Sequence, residues 1–342
     1  MLFRSSTELM FRTLHNTARV VRNAVSEQVV EIEKRGGTFD EIAPLVSGAR
    51  GRKVYETGDL DAGVWSAGLS LGRRRPALVH TVHGHLLTGY FSKLAVRGIS
   101  TSERMMAAAS DLVLAAGEHV RDDLVAARIV NADKVVVVRP GVRDFTRTPK
   151  AEAREQLGIR DWAGHPNAEG GSRPLAGWLA RVVRVKRPDR LVGAAVRTPE
   201  VDYIVGGDGA LREGLHERAP ENLRTVGWTE PPVFWSACDL AVLTSDNEAI
   251  PYSLVEAALT GLPAITTDAG SASEAVVDGV TGLVVPKDPQ AVADGVHRLA
   301  RDPELAARLG TNARERALVD FSPEQMLTAH TAAYERAIDS RG

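Results

Sequence analysis

From residue 174 to residue 301 the chain switches repeatedly between two periodicities. Short apolar runs at 174–180, 201–205, 223–226, 240–244, 264–267 and 283–286 read as strands. Helical patterns at 188–196, 210–218, 231–237, 252–260, 273–277 and 289–301 separate them. Parallel neighbours need a crossover and antiparallel ones only a turn, so this alternation predicts a parallel sheet with helices on both faces. Residues 73–145 repeat the pattern on a smaller scale, with strands at 77–82, 111–115 and 134–139 and helices at 99–109 and 118–128. The run Val135–Val137, continued by Val138, suits a strand buried on both faces. The expected fold class is α/β, with a complete Rossmann-like domain at 174–320 and a smaller Rossmann-like domain at 73–145. Residues 146–173 read as a polar linker with one short helix at 150–157, and 321–342 as a closing helix.

Residues 1–72 lack this rhythm. Leu9, Leu14, Val20, Val21, Val25, Val29 and Ile32 recur at helical spacing over 7–33, and Gly36-Gly37 ends the pattern. A shorter helix is expected at 38–46 and a loop at 59–68, with no opening strand and glycine-rich turn. The strand at 77–82 would then lack neighbours. Either the first 72 residues cover the unpaired backbone groups and apolar face, or the first domain is truncated and marginally stable, and the second outcome is the one expected.

Composition narrows the function. The net charge of -2 gives no basic surface for nucleic acid, which is not expected as a partner. The single cysteine, Cys238, allows no internal disulfide and reads as packing. No run reaches the ~20 apolar residues of a membrane span. Arg4, Arg12, Arg19 and Arg22 face only Glu8 near the start, without a signal peptide's apolar block. A cytoplasmic protein is expected, with peripheral contact at the cytoplasmic membrane face as the alternative.

Three groups of residues carry chemistry. In the first, Glu248 follows a strand and Glu256 lies seven intervening residues later in the next helix, with Ala249, Ile250 and Pro251 between them. Open α/β sheets bind ligands at the carboxyl ends of their strands. A carboxylate in that helix can accept both ribose hydroxyls, and the helix-start amides near Ser253 and Leu254 can meet a diphosphate. The bland alternative is a loop acid and an exposed helix acid. The second group is Arg181 and Lys186 after the strand at 174–180, suited to neutralising a departing diphosphate. Arg184, Arg187 and Arg190 crowd the same stretch, so a solvated basic loop remains open. Third are His80, His83 and His85. Lacking nearby acids or cysteines, they point less to a metal than to polar substrate contact or packing, with His83 placed at the strand end.

In this order the three groups resemble the family-4 retaining glycosyltransferases of the GT-B fold, over about residues 73–338. By that resemblance Arg181 and Lys186 bind the diphosphate, and Glu248 with the backbone of Ala249, Ile250 and Pro251 holds the donor sugar. Leu254 and Val255 would lie under the diphosphate, Glu256 would hold the ribose, and His83 would reach the sugar near the reaction centre. Where the family has glycine after the first glutamate, this chain has Ala249, and a Cβ enters a place of close backbone approach.

The resemblance implies a hexose transferred with retention from a nucleoside diphosphate sugar to a polysaccharide or glycolipid acceptor, with no metal and no cofactor. About residues 6–72 instead resemble the C-terminal region of nitronate monooxygenases, through Thr7–Val20 and Tyr55–Ser66. The strands that would hold flavin phosphate are missing, so no FMN is expected. That resemblance places a join between unrelated fragments near Gly72. Two alternatives follow: an inactive nucleotide-sugar-binding remnant, or a fragment of a flavin-dependent nitronate monooxygenase.

Overall fold

The computed structural model describes residues 54–57, 77–83, 93–164 and 172–340. The helices expected at 7–33 and 38–46 and the loop at 59–68 lie outside them.

Two parallel sheets organise the chain. The first has the order β1-β2-β3-β4, from Val54–Thr57, Ala77–Val82, Leu112–Ala115 and Val135–Val137. Its strand β1 corrects one expectation. Residues 54–57 fall in the segment read as strandless, yet they pair in parallel with β2, Val54 opposite Ala77 and Thr57 opposite His80. Four residues are too few for a periodicity to show in the sequence. Helices α1 (Lys93–Ala109) and α2 (Glu118–Ala126) serve as crossovers. Alternation then sorts the side chains: Val82, Val113 and Ala115 meet Ala107, Val120 and Leu124, while Ala77, Val79, Leu112 and Leu114 face the other way.

That second face is covered from the far end of the chain. The last helix, α11 (Pro323–Asp339), lays Met326, Ala333 and Ala337 on Ala77, Val79, Leu112 and Leu114. The face expected to be exposed is therefore buried, by residues some 250 positions downstream that local pattern cannot assign.

The second sheet has the order β10-β9-β8-β5-β6-β7. Its strands are β5 (Leu175–Leu179), β6 (Asp202–Gly206), β7 (Leu223–Gly227), β8 (Leu240–Leu243), β9 (Ala264–Thr267) and β10 (Gly282–Val285). The chain runs outward from β5 to β7, returns to β8 beside β5, then runs outward the other way. The reversal between β5 and β8 is a topological switch point, where crossovers leave in opposite directions and open a crevice at the strand ends. The expected strands match these within a residue or two.

Helices cover both faces. On one, α4 (Pro188–Arg197) and α9 (Pro289–Arg301) pack Leu191, Ala194, Val292 and Val296 against Tyr203, Val205 and Val242. On the other lie α6 (Pro231–Ala237), α7 (Tyr252–Thr260) and part of α10 (Pro303–Asp320). The starts of α9, α10 and α11 share one device, an Asp or Ser cap followed by Pro. Asp288, Asp302 and Ser322 accept first-turn amides, each cap contributing about 1 kcal/mol. The stretch read as a linker is not free. Its helix α3 (Lys150–Gln156) and the turn after it bury Ala153, Ile159, Trp162 and Ala163 in the second core. Few apolar residues among many polar ones hid that role.

If α11 completes the first sheet, Met326→Ala should destabilise the chain by about 2–4 kcal/mol. Amide exchange should quicken in β2 and β3 and stay slow in β5 and β8. Uniform acceleration across both sheets would contradict this division.

Candidate functional site

The switch point brings together the loops after β5 and β8. Strand β5 leads into residues 180–187, with Arg181 and Lys186; β8 leads into 244–251, with Glu248. Asp246 ties the two, its amide donating to Val185 O at 2.8 Å. Its carboxylate accepts Arg190 Nη2 at 2.8 Å and Arg187 Nη1 at 3.2 Å. Arg190, only 3% exposed, also donates to the carbonyls of Thr244 and Ser245. Thr244 Oγ1, accepting from Trp178 Nε1 at 3.0 Å, lies 3.0 Å from the carbonyls of Lys186 and Arg187. Two of the arginines that left a solvated loop open are thus structural clamps. Arg187 sits at φ 52°, an uncommon conformation for a residue other than glycine, and its guanidinium is fixed by Asp189 as well as Asp246. Those two carboxylates hold its proton more firmly than in free arginine, against the opposing effect of burial.

The clamp sets Lys186 against Glu248. Lys186 Nζ lies 2.5 Å from Glu248 Oε1, and Ser245 Oγ donates to the same oxygen. Both side chains are largely buried, 15% and 8% exposed, so each charge depends on the other. Beneath them, Ser271 N donates to Glu248 O at 3.0 Å. Gly270, at φ 60°, leaves room for this: a Cβ there would meet Glu248 O at 2.4 Å.

Arg181 is exposed on the same loop, with no ion-pair partner recorded among the described residues. Its loop is fastened to the next, Val182 N donating to Asp208 O and Leu211 N to Val182 O. Ala249 does not take a left-handed conformation, and its methyl packs on the core between the first sheet and α2. The side chains of Ile250, Leu254 and Val255 are buried in the second core.

The start of α7 differs from expectation in one respect. Leu254 N and Val255 N both donate back to Pro251 O, at 3.1 and 3.3 Å. The amides left without an intrahelical acceptor belong to Tyr252 and Ser253, one position earlier.

Glu256 lies one turn into α7, half-buried. Burial raises its carboxyl from the usual 4.5 to about 7, and Glu230 at the start of α6 adds to this. The indole Nε1 of Trp235, wholly buried and without a well-formed hydrogen bond, acts in the other direction and favours the carboxylate. Tyr252, at the start of α7, is 41% exposed. Sequence reasoning missed Trp235 and Glu230; both belong to the preceding crossover, and only the sheet order makes them neighbours of Glu256.

The histidines separate. His80 is buried and meets Glu103 at 3.2 Å, while His83 follows β2 directly and is exposed. His85 lies outside the described residues. Among those described, no group of three His, Cys, Asp or Glu could hold a metal ion, and no helix is long and apolar enough to cross a membrane. Cys238 is buried, donates to Phe234 O at 3.2 Å, and its thiol is held well above its usual range by burial. Two surface hollows, bordered by Arg147 and Arg314 and by Lys134 and Arg336, share no residue with the crevice.

A switch-point crevice in one Rossmann-like half, faced by a second parallel sheet that the last helix completes, is the GT-B fold of glycosyltransferases. Residues 165–316 match the family model "Glycosyl transferases group 1", and residues 61–144 match "Glycosyltransferase Family 4". The second match runs across Gly72, where a join was expected. Among curated relatives, the D-inositol 3-phosphate glycosyltransferase of Streptomyces bingchenggensis is 30% identical over 271 residues, 73% of this chain and 59% of that protein. That of Mycolicibacterium gilvum is 28% identical over 353 residues, 93% of this chain and 76% of that one. The chain thus spans 59% of the length of the Streptomyces relative. Among solved structures, HepE of Anabaena in complex with UDP and glucose superposes with a TM-score of 0.69 at 23% identity, over 86% of this chain and 82% of that one.

The Glu256 carboxyl gives a pH signature. Its folded pKa near 7 exceeds the ordinary 4.5, so protonation stabilises the fold below about pH 4.5, and that stability is lost as pH rises through about 7. The Glu256→Gln variant cannot titrate there. Its Tm should fall less between about pH 5 and about pH 8 than that of the parent chain. Parallel Tm curves would show that the Glu256 carboxyl is not held above its ordinary range.

Proposed function

We propose that the chain transfers a sugar, with retention of configuration, from a nucleoside diphosphate donor to a glycan or lipid-linked acceptor. The observation that carries this reading is the Lys186–Glu248 pair, held at the switch point beside the open amides of α7. A cation, a carboxylate and a helix start converging there match the charges of a sugar diphosphate. Support also comes from the relatives: two are named as D-inositol 3-phosphate glycosyltransferases, and one solved neighbour holds UDP and glucose.

In this reading Lys186 and Arg181 take the diphosphate oxygens, together with the amides of Tyr252 and Ser253. Leu254 and Val255 support them from the core. Glu248 and the backbone of Ala249, Ile250 and Pro251 hold the sugar, and Glu256 accepts the ribose hydroxyls. His83 approaches the sugar from the first half of the chain. The bond from the anomeric carbon to the phosphate oxygen breaks, and the diphosphate leaves with the electron pair. The acceptor hydroxyl bonds to that carbon on the same face, and a phosphate oxygen takes its proton. The residues at hand bring charge stabilisation and orientation to this step, and no metal is assigned a part in it. The proposed place of action is the cytoplasm, with the acceptor met in solution or at the membrane's cytoplasmic face.

Calorimetric titration with UDP tests the donor site. Charge-assisted hydrogen bonds contribute about 1.5–3 kcal/mol each, so Glu256→Ala and Lys186→Ala should each weaken UDP about ten- to a hundredfold. Affinities equal to the parent's in both variants would remove the nucleotide from this crevice.

A further inference from the structure

One carboxylate in the second half of the chain reaches into the first. Glu274, on the short helix α8 (Ala272–Ala275), is 13% exposed at its side chain. Its Oε2 accepts Glu118 N and its Oε1 accepts His119 N, both at 3.0 Å. These are first-turn amides of α2, which belongs to the first sheet's layer and has no side-chain cap of its own. Arg139, just beyond β4, adds its guanidinium at 3.5 Å from Glu274 Oε2. The fit is close on the other side too. Gly117 has an extended backbone that any residue can adopt, at φ -162°. A Cβ there would nevertheless lie 2.7 Å from Ser271 Oγ and 2.9 Å from Glu274 Oε1.

The segment carrying Glu274 is anchored at both ends. Arg316 of α10 donates to the carbonyls of Glu274 and Ala275, at 2.6 and 3.0 Å. At the start of the segment, Ser271 N holds the carbonyl of Glu248. Four residues thus span from the loop proposed to grip the donor sugar to the helix start of the opposite half. Ala249, beside Glu248, makes the second contact across the same gap by packing on the core that includes Val120 and Leu124.

We propose that Glu274 is a positioning residue, a strap that fixes the Glu248 loop relative to α2 and so sets the two halves of the site in register. It touches no part of the proposed donor position and acts through the amides of Glu118 and His119. The proposal rests on the glycosyl-transfer reading for its consequence, but the strap itself is a property of the fold.

The test uses the full chain, Glu274→Ala, and Gly117→Ala, which disturbs the same contact from the opposite side and leaves Glu274 intact. Three quantities are read: amide exchange over residues 118–121, UDP affinity, and the kcat and KM of UDP-glucose turnover. Losing two hydrogen bonds to a charged acceptor should speed exchange at Glu118 and His119 roughly tenfold or more. UDP affinity should stay within about twofold and the donor KM should change little, while kcat falls about tenfold or more, as expected when misplacement and not binding is at fault. A general loss of stability would instead speed exchange throughout both sheets. Unchanged exchange at 118–119 in Glu274→Ala overturns the strap; changed exchange with unchanged kcat overturns its positioning role. If the parent chain neither binds UDP nor turns over UDP-glucose, the donor reading fails, and the exchange comparison still decides the strap.

Discussion

A buried guanidinium governs the site. Arg190 is nearly inaccessible, yet its charge is neutralised by Asp246 through Nη2, while Nη1 meets the carbonyls of Thr244 and Ser245 and Nε is buried without a partner. Burying an unpaired charge would cost several kcal/mol, so the loop after β8 is drawn onto α4 wherever Arg190 is buried. That requirement brings two segments about sixty residues apart into contact, and the meeting of Lys186 with Glu248 follows from it. The strand order supplies the crevice; the Arg190–Asp246 pair decides which side chains face each other across it.

Much of this was legible beforehand. Alternation of strand and helix over 174–301 foretold the second sheet, and the spacing of Glu248 and Glu256 put one acid at a strand end and the other in the following helix. What could not be read were the partners. Arg184, Arg187 and Arg190 look alike along the chain, but Arg187 and Arg190 end on Asp246 while Arg184 stays exposed. The environment of Glu256 was equally hidden, because Trp235 and Glu230 arrive from a different crossover. Sequence pattern reports which residues lie on one face of one element; it is silent on which faces meet.

The first half shows the same limit from the other direction. A sheet judged by its own neighbourhood was short of strands and cover. The structure adds Val54–Thr57 at its edge and α11 on its face, one from ahead of the expected boundary and one from the opposite end of the chain. The strand carries no local signal, and α11 was legible as a helix but not as the cover of this sheet. Both are demanded by the physical argument that predicted instability: an apolar face must be buried and a strand edge paired.

The return of α11 ties the halves together twice, and the two crossings touch. Val142 N donates to Phe321 O at 2.8 Å, and Gly141 lies against Pro323 so closely that a Cβ would sit 2.8 Å from its Cα. During synthesis the chain emerges from its N-terminus, and units normally fold in that order. Here the first sheet cannot hide its apolar face until the ribosome has released the last turn of α11. The first sheet is therefore covered only after the second has been made, and until then Val79, Leu112 and Leu114 present an open apolar surface.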